Sequence, residues 1–359
     1  MTTALQSSFF ELIRLGIGAS KVATISEDIE WDKLKTLAEE HGLSAIVLDA
    51  LNMDGSDLAE SMPVQIKLEW IGEVLQGESV YAHQRTVAVD MANLFYNNDI
   101  RAYVLKGNVI SECYPRPNHR VSADIDCYLQ PVRDGLDAWS LGNDLIRAKG
   151  FQVNTDFYKN SSFDISGVII ENHQFFTPFR ANKKLAEFER LLHALMKQIQ
   201  EDVFEDTHIY RPPVQVTALF LIEHSYSHFL HEGLTWRHVL DWMMFRNKHQ
   251  KEILWADFDV LVDEYGFKKF YESFLRLGRF LLGEIQESYL TKEDKKMLAD
   301  VWAPLDLHDS VRGFKGKIAL AGNTWRARWK YRYFTEMSWV TALWIQVKGF
   351  LFEKNPKLN

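Results

Sequence analysis

The sequence predicts an α+β fold, a small mixed β-sheet core flanked by N-terminal and C-terminal helical regions. Helical periodicity dominates both ends of the chain, whereas β-branched and aromatic runs are confined to residues 101–176. At 359 residues the chain exceeds one typical core. We therefore divide it into an N-terminal helical region (1–80), a sheet core (81–180) and a C-terminal helical domain (181–359).

The first third carries three helical patterns: SSFFELIRLGI (7–17), WDKLKTLAEEHGLSAIVLDAL (31–51) and a long one from about Val64 to Asn98. Gly42, the Asp54-Gly55 pair and Asn97-Asn98 punctuate them as stop and turn signals. Strand texture then appears in RAYVLKG (101–107), DIDCYL (124–129), FQVNT (151–155), SSFDIS (161–166) and GVIIENHQFF (167–176). A helical pattern from roughly Val132 to Lys149 separates the second and third runs and stops at Gly150. Beyond Thr177 long helical patterns return, through 188–200, 216–230, 236–245 and 267–283. No internal repeat or low-complexity linker interrupts them.

Composition narrows the function classes. The chain has 41 Lys and Arg against 49 Asp and Glu, a formal charge of -8, which argues against generalised nucleic-acid binding. Two cysteines, Cys113 and Cys127, are too few for a disulfide scaffold and lack zinc-ribbon spacing, so simple packing in a reducing compartment is expected. The N-terminus has no basic region ahead of an apolar core. Met337 to Val347, the longest apolar stretch, falls short of the roughly 20 residues that cross a bilayer. A cytoplasmic location without a transmembrane segment is the expectation.

Asp124 and Asp126 stand at i and i+2 in a strand-like run, so their side chains share one face while Ile125 and Cys127 take the other. Two adjacent carboxylates repel unless a cation neutralises them, and hard oxygen ligands favour Mg2+ or Mn2+. Such a pair alone is common on solvated edges. The neighbourhood strengthens it: Lys106 and Gly107 end an apolar strand, where a lysine supplies compact charge and a glycine lets backbone approach a phosphate. Arg120 and Ser122 precede Asp124 and join Lys106 and Gly107 on the expected phosphate-binding side. Downstream, Glu171 lies in an apolar strand with His173 on the same face. A shared metal and phosphate site would satisfy all of these buried charges.

The segment YVLKGNVISECYPRPNHRVSADIDCYL (103–129) resembles a bacterial nucleotidyltransferase family of the DNA polymerase beta superfamily. Leu105-Lys106-Gly107, Tyr114-Pro115, Arg120 and Asp124-Ile125-Asp126 match that family's pattern, and Glu171 with His173 fill its later acid and histidine. HSYSHFLHEGLTWRHVLDW (224–242) is similar to its His-rich helical stretch, and the likeness fades beyond about Gly283. The wider superfamily has Gly-Ser where this chain has Lys106-Gly107-Asn108.

The resemblance implies Mg2+-dependent transfer of a nucleoside monophosphate from a nucleoside triphosphate such as ATP to a hydroxyl acceptor. It leaves the acceptor open between a small molecule, a protein and an RNA. It implies Asp124, Asp126 and Glu171 as catalytic metal ligands, with Asp164 the alternative third acid, and Lys106, Gly107, Arg120 and Ser122 as nucleotide-binding residues. Rival readings are a silent nucleotidyltransferase fold that senses a nucleotide or partner, and a phosphotransferase acting on a small molecule or peptide.

Two other constellations are read structurally first. His224 and His228 have i,i+4 spacing, with His231, His238 and Asp241 nearby, but lack the intervening Glu of a zinc motif. Arg237 and Asp241, also at i,i+4, read as a pair that fixes helix packing. The segment 312–334 interleaves Arg312, Lys315, Lys317, Arg326, Arg328, Lys330 and Arg332 with aromatics. It is expected to dock through Tyr333, Met337, Val340, Trp344, Val347 and Leu351, with nucleic-acid contact, then an anionic membrane, as the alternatives.

Overall fold

The computed structural model describes residues 2–52, 59–133, 135–198, 202–204, 207–303, 325–352 and 358. Asp54-Gly55, Arg312, Phe314, Lys315, Lys317 and the Leu351 side chain lie outside what is described.

Four helices open the chain: α1 (Ala4–Gly16), α2 (Trp31–Glu40), α3 (Ser44–Leu51) and α4 (Val64–Tyr96). Thr3 starts α1 with a reciprocal capping box to Gln6, which satisfies two otherwise orphaned donors. Gly42 ends α2 at φ +67°, and a Cβ there would meet the Arg237 side chain at 3.2 Å. The core follows as β1 (Ile100–Val104), α5 (Asn108–Ser111), β2 (Asp124–Pro131), α6 (Ala138–Ala148), β3 (Asn160–Ile165) and β4 (Val168–His173). After α7 (Lys183–Met196) comes a two-residue strand, β5 (Ile209–Tyr210). The remaining helices are α8 (Val214–His231), α9 (Trp236–Lys248), α10 (Trp255–Glu264), α11 (Lys268–Leu281), α12 (Lys292–Val301), α13 (Arg328–Phe334) and α14 (Trp339–Phe352). The chain is thus α+β, with one sheet among many helices.

The five strands run in the order β3-β4-β2-β1-β5. β1 with β2 and β3 with β4 are antiparallel, while β2 with β4 and β1 with β5 are parallel. FQVNT (151–155), read as a strand, contributes only a bridge between Asn154 and Ser162. β5, too short for a sequence pattern, is held by Tyr103 and Ala102 of its neighbour.

Alternation along the strands divides the interior. Val104, Ile125, Cys127, Leu129 and Ile170 join α4 and α6 in one hydrophobic cluster. On the other face Tyr103 and Leu105 belong to a larger cluster with residues of α1–α3 and the C-terminal helices. Phe10 of α1 stacks edge-on to Trp236 of α9 at 4.7 Å, within the same cluster. α8 therefore lies over the sheet face that carries Asp126 and His173, and Phe220 meets the His173 ring at 6.4 Å. Cys113 and Cys127 are both free and buried.

The C-terminal aromatics dock differently from the expected single stripe. The chain leaves helical geometry at Thr335, whose hydroxyl accepts from Met337 N and thereby supports the turn between α13 and α14. That break changes the helical phase. Tyr331, Phe334 and Ala342 are buried and Tyr333 and Met337 pack against the core as expected, whereas Val340, Trp344 and Val347 are exposed. Lys330, one of the basic residues interleaved with the aromatics, is itself buried, pairing with Asp300 at 2.8 Å and donating to Phe229 O at 2.6 Å. No described helix is long and apolar enough to cross a membrane.

Candidate active site

β2 and β4 run side by side with Asp126 opposite Glu171 and Tyr128 opposite His173. Because both strands alternate in phase, the carboxylates and the imidazole project from one face. Ligand atoms of Asp126, Glu171 and His173 all lie within 4.8 Å of one another, the one such group among the described residues. His173 Nε2 sits 2.9 Å from Asp126 Oδ1 and 3.6 Å from Glu171 Oε2. His173 is therefore part of the cluster, a role the sequence reading left unassigned.

Asp124 stands at the more open end of the same face, opposite the exposed Ile169. It lies outside the three-residue group, yet its charge is coupled to the group. Burial, then Asp126, raise the Asp124 pKa above the ordinary carboxylate range, against Lys106. Asp164, the alternative third acid, points elsewhere: its carboxylate caps the β3–β4 turn, accepting from Gly167 N at 2.7 Å.

Lys106 follows β1 and reaches Asp126 Oδ2 at 3.0 Å. Burial opposes its charge, but Asp126 and then Asp124 outweigh burial and hold its pKa above the usual lysine value. The same partnership, with the His173 hydrogen bond, depresses Asp126 despite its complete burial. Burial works against protonation of His173, and bonds to Asp126 and Glu171 override it, raising its pKa. Gly107 turns at φ +66°, and a Cβ there would stand 3.3 Å from Ser122 Oγ. Ser122 in turn donates its hydroxyl to Asp124 O at 2.9 Å and accepts Gln84 Nε2 at its carbonyl, fixing the entry to β2.

Arg120 is a wall of the site. It donates Nε and Nη2 to Asp241 of α9 at 3.1 and 2.6 Å, and Tyr114 Oη donates to the same carboxylate at 2.6 Å. Its Nη1 is buried with no hydrogen-bond partner among the described residues. This corrects the expected Arg237–Asp241 packing pair: Arg120 and Tyr114 take the Asp241 oxygens, and Arg237 Nη1 donates to Val121 O at 2.7 Å.

A cavity of about 190 Å³ opens beside Asp124, bounded by Lys106, Arg120, Arg237 and three imidazoles, His224, His228 and His238. His224 Nε2 lies 3.1 Å from Lys106 Nζ and 3.0 Å from His228 Nε2, and Glu232 holds the other nitrogen of His228 at 2.8 Å. Burial first, then Lys106, keep the His224 pKa far below 6.5, and burial with Arg237 does the same to His238. Both imidazoles are therefore neutral at pH 7. Together the walls offer fixed cations and polar donors to an anion. The sequence pairing of His224 with His228 as zinc ligands gains no third ligand among the described residues.

Lys159, just before β3, escaped sequence reasoning because it sits in no motif. Its carbonyl accepts from Gln174 N and Phe175 N at 2.9 and 3.0 Å, and the charge of its side chain is felt at His173, His224 and Glu223.

The family described as uncharacterised nucleotidyltransferase matches residues 27–283, which include β1 to β4, α8 and α9. The chain belongs to this family. Nucleotidyl transfer is the general activity that this membership supports. The match ends at Gly283, where the resemblance read from the sequence also fades. No curated protein and no solved structure matches the chain.

The donor set suits a hard divalent cation. Three carboxylates, Asp124, Asp126 and Glu171, face the same side of two adjacent strands, and carboxylate oxygens are the ligands magnesium prefers. The Lys106 ammonium now pairs with Asp126, so a cationic partner for that buried carboxylate is already required by the fold.

Proposed function

We propose that the chain moves a nucleoside monophosphate from a nucleoside triphosphate to a hydroxyl acceptor, on a polymerase-beta-type site. The observation that carries this reading is the in-register pairing of Asp126 with Glu171, with Lys106 against Asp126 at 3.0 Å. Asp124, Asp126 and Glu171 would hold Mg2+ or Mn2+, which supplies charge neutralisation at the phosphates and activation of the acceptor oxygen.

The remaining work belongs to the chain's own groups. Lys106, Arg237 and the spare Nη1 of Arg120 border the cavity beside Asp124 and bind the triphosphate oxygens as charge develops on them. Neutral His238, whose Nδ1 accepts from Thr235 N, adds an Nε2 donor without desolvating further charge, while His224 Nε2 accepts from Lys106 and orients it. The acceptor oxygen bonds to the α-phosphorus as the bond to the bridging oxygen breaks, and pyrophosphate departs. Glu171, a third exposed at the open side of the cluster, accepts the acceptor's proton.

The experiment is incubation with α-labelled and, separately, γ-labelled triphosphates, magnesium and a cell extract. Label retained from the α-position with release of pyrophosphate supports the reading. Transfer of γ-label with release of ADP assigns a phosphotransferase instead. Tight triphosphate binding with no transfer in any fraction assigns a nucleotide sensor.

A further inference from the structure

α8 presents His224 to the cavity beside the carboxylates and the preceding residue, Glu223, to a second cavity of about 190 Å³ on its other side. That second cavity is walled by α7, α8, the α10–α11 junction, α13 and α14. Its volume is below the about 300–1,000 Å³ typical of drug-sized sites, so it suits a small molecule.

Glu223 is 2% exposed, and its carboxyl makes no hydrogen bond to the described residues, with Lys159 the strongest countercharge felt. A buried carboxyl without a hydrogen-bond donor is costly, and a cationic donor arriving in the cavity would offset that cost. The cations in the lining do not serve it. Lys184 is taken by Glu336 at 2.8 Å, and burial lowers the pKa of His231 and keeps its ring neutral. Burial pushes the Glu223 carboxyl up to about 7, with Lys159 pulling the other way, so an arriving cation meets a group that ionises readily. The rest of the wall is aromatic: Tyr226, Tyr265, Tyr331 and Phe267, with Tyr226 edge-on to Phe267 at 5.3 Å. Such rings attract a cation through their faces and cover an apolar body.

We infer that this cavity is a binding site for a small organic primary amine, its ammonium on the Glu223 carboxylate and its apolar body against the tyrosine rings. The cavity is lined by none of Asp124, Asp126, Glu171 and His173, and the inference does not rest on nucleotidyl transfer.

The test is calorimetric titration of the full chain with tyramine and with 4-propylphenol, which keeps the ring and chain but replaces the ammonium by a methyl group. Tyramine should bind at least tenfold more tightly than the phenol, and Glu223→Gln should erase that difference. Ser227→Phe, one turn along α8 and also in the lining, should remove binding of both while the melting temperature is maintained. Equal affinity for the two ligands, tyramine binding that survives Glu223→Gln, or no heat with either would overturn the site. Should Glu223→Gln lose its native circular dichroism, the outcome falls to Ser227→Phe: tyramine binding retained there refutes the assignment, and binding lost there sustains it.

Discussion

Arg120 forks onto Asp241 across 121 residues of sequence, joining the loop before β2 to helix α9. Tyr114 donates to the same carboxylate, so three residues of the resemblance form one buried polar network. The network fixes Arg120 in the wall of the cavity beside Asp124 and leaves its Nη1 without a hydrogen-bond partner among the described residues.

Removing one partner of a buried pair strands the other, so Asp241→Ala should cost about 3–5 kcal/mol in urea unfolding. The double variant Asp241→Leu with Arg120→Met should recover much of that loss, because neither charge remains to be desolvated. An Asp241→Ala protein as stable as the wild type would show that the fork contributes nothing to the fold.

Asp124 and Asp126 should separate in stability although both are needed for transfer. The folded pKa of Asp126 is depressed, so its contribution is fully present above the unfolded value of about 3.9 and is lost as pH falls through the folded value. At pH 7 without metal, Asp126→Asn therefore lowers the melting temperature. The Asp124 pKa is raised, its charged form is disfavoured in the fold, and Asp124→Asn raises the melting temperature. Shifts of the same sign in both variants would contradict the pairing of Lys106 with Asp126 alone.

Substrate binding and chemistry should divide between Lys106 and Glu171. Loss of a charge-assisted phosphate contact in Lys106→Met should weaken triphosphate binding by about 1.5–3 kcal/mol and leave nucleoside binding nearly unchanged. Glu171→Gln should bind triphosphate close to normally and lose most turnover. Equilibrium dialysis and single-turnover transfer measure the two; equal weakening of nucleoside and triphosphate in Lys106→Met removes Lys106 from the phosphate site.

The histidine cavity predicts acid sensitivity. His224 and His238 have folded pKa values far below the unfolded value of about 6.5, so below that pH the unfolded chain binds more protons. Stability is undiminished above pH 6.5 and falls below it, by roughly 1.4 kcal/mol per pH unit for each imidazole until the folded value is reached. Urea midpoints at pH 7.5, 6.5 and 5.5 measure the slope, and His238→Gln should make it shallower. A slope unchanged in that variant would show that His238 titrates alike in both states.

The sequence by itself determined the fold class, because periods of 2 and 3.6 are local properties written into consecutive residues. It also placed Asp124 and Asp126 on one face, since strand alternation needs no partner. It favoured Glu171 over Asp164, and the structure brings Glu171 beside Asp126 while turning Asp164 to its own hairpin. Tertiary structure alone decided the rest. Whether His173 joins the carboxylates depends on the register between β2 and β4, and a shift of one residue would send it to the opposite face. Arg237 and Asp241 are neighbours on a helix surface, yet Asp241 bonds to Arg120, because a buried carboxylate takes the donors that packing delivers to it. The C-terminal stripe held only in part for the same reason: Tyr333 and Met337 pack against the core, but its spacing holds only within one helix, and the break at Thr335 leaves Val340, Trp344 and Val347 exposed. Glu223 carried no signal in the sequence, where it is one acid in an apolar helix. Only the packing of α13 and α14 against α8 enclosed it, and enclosure is what makes a carboxyl without a partner consequential.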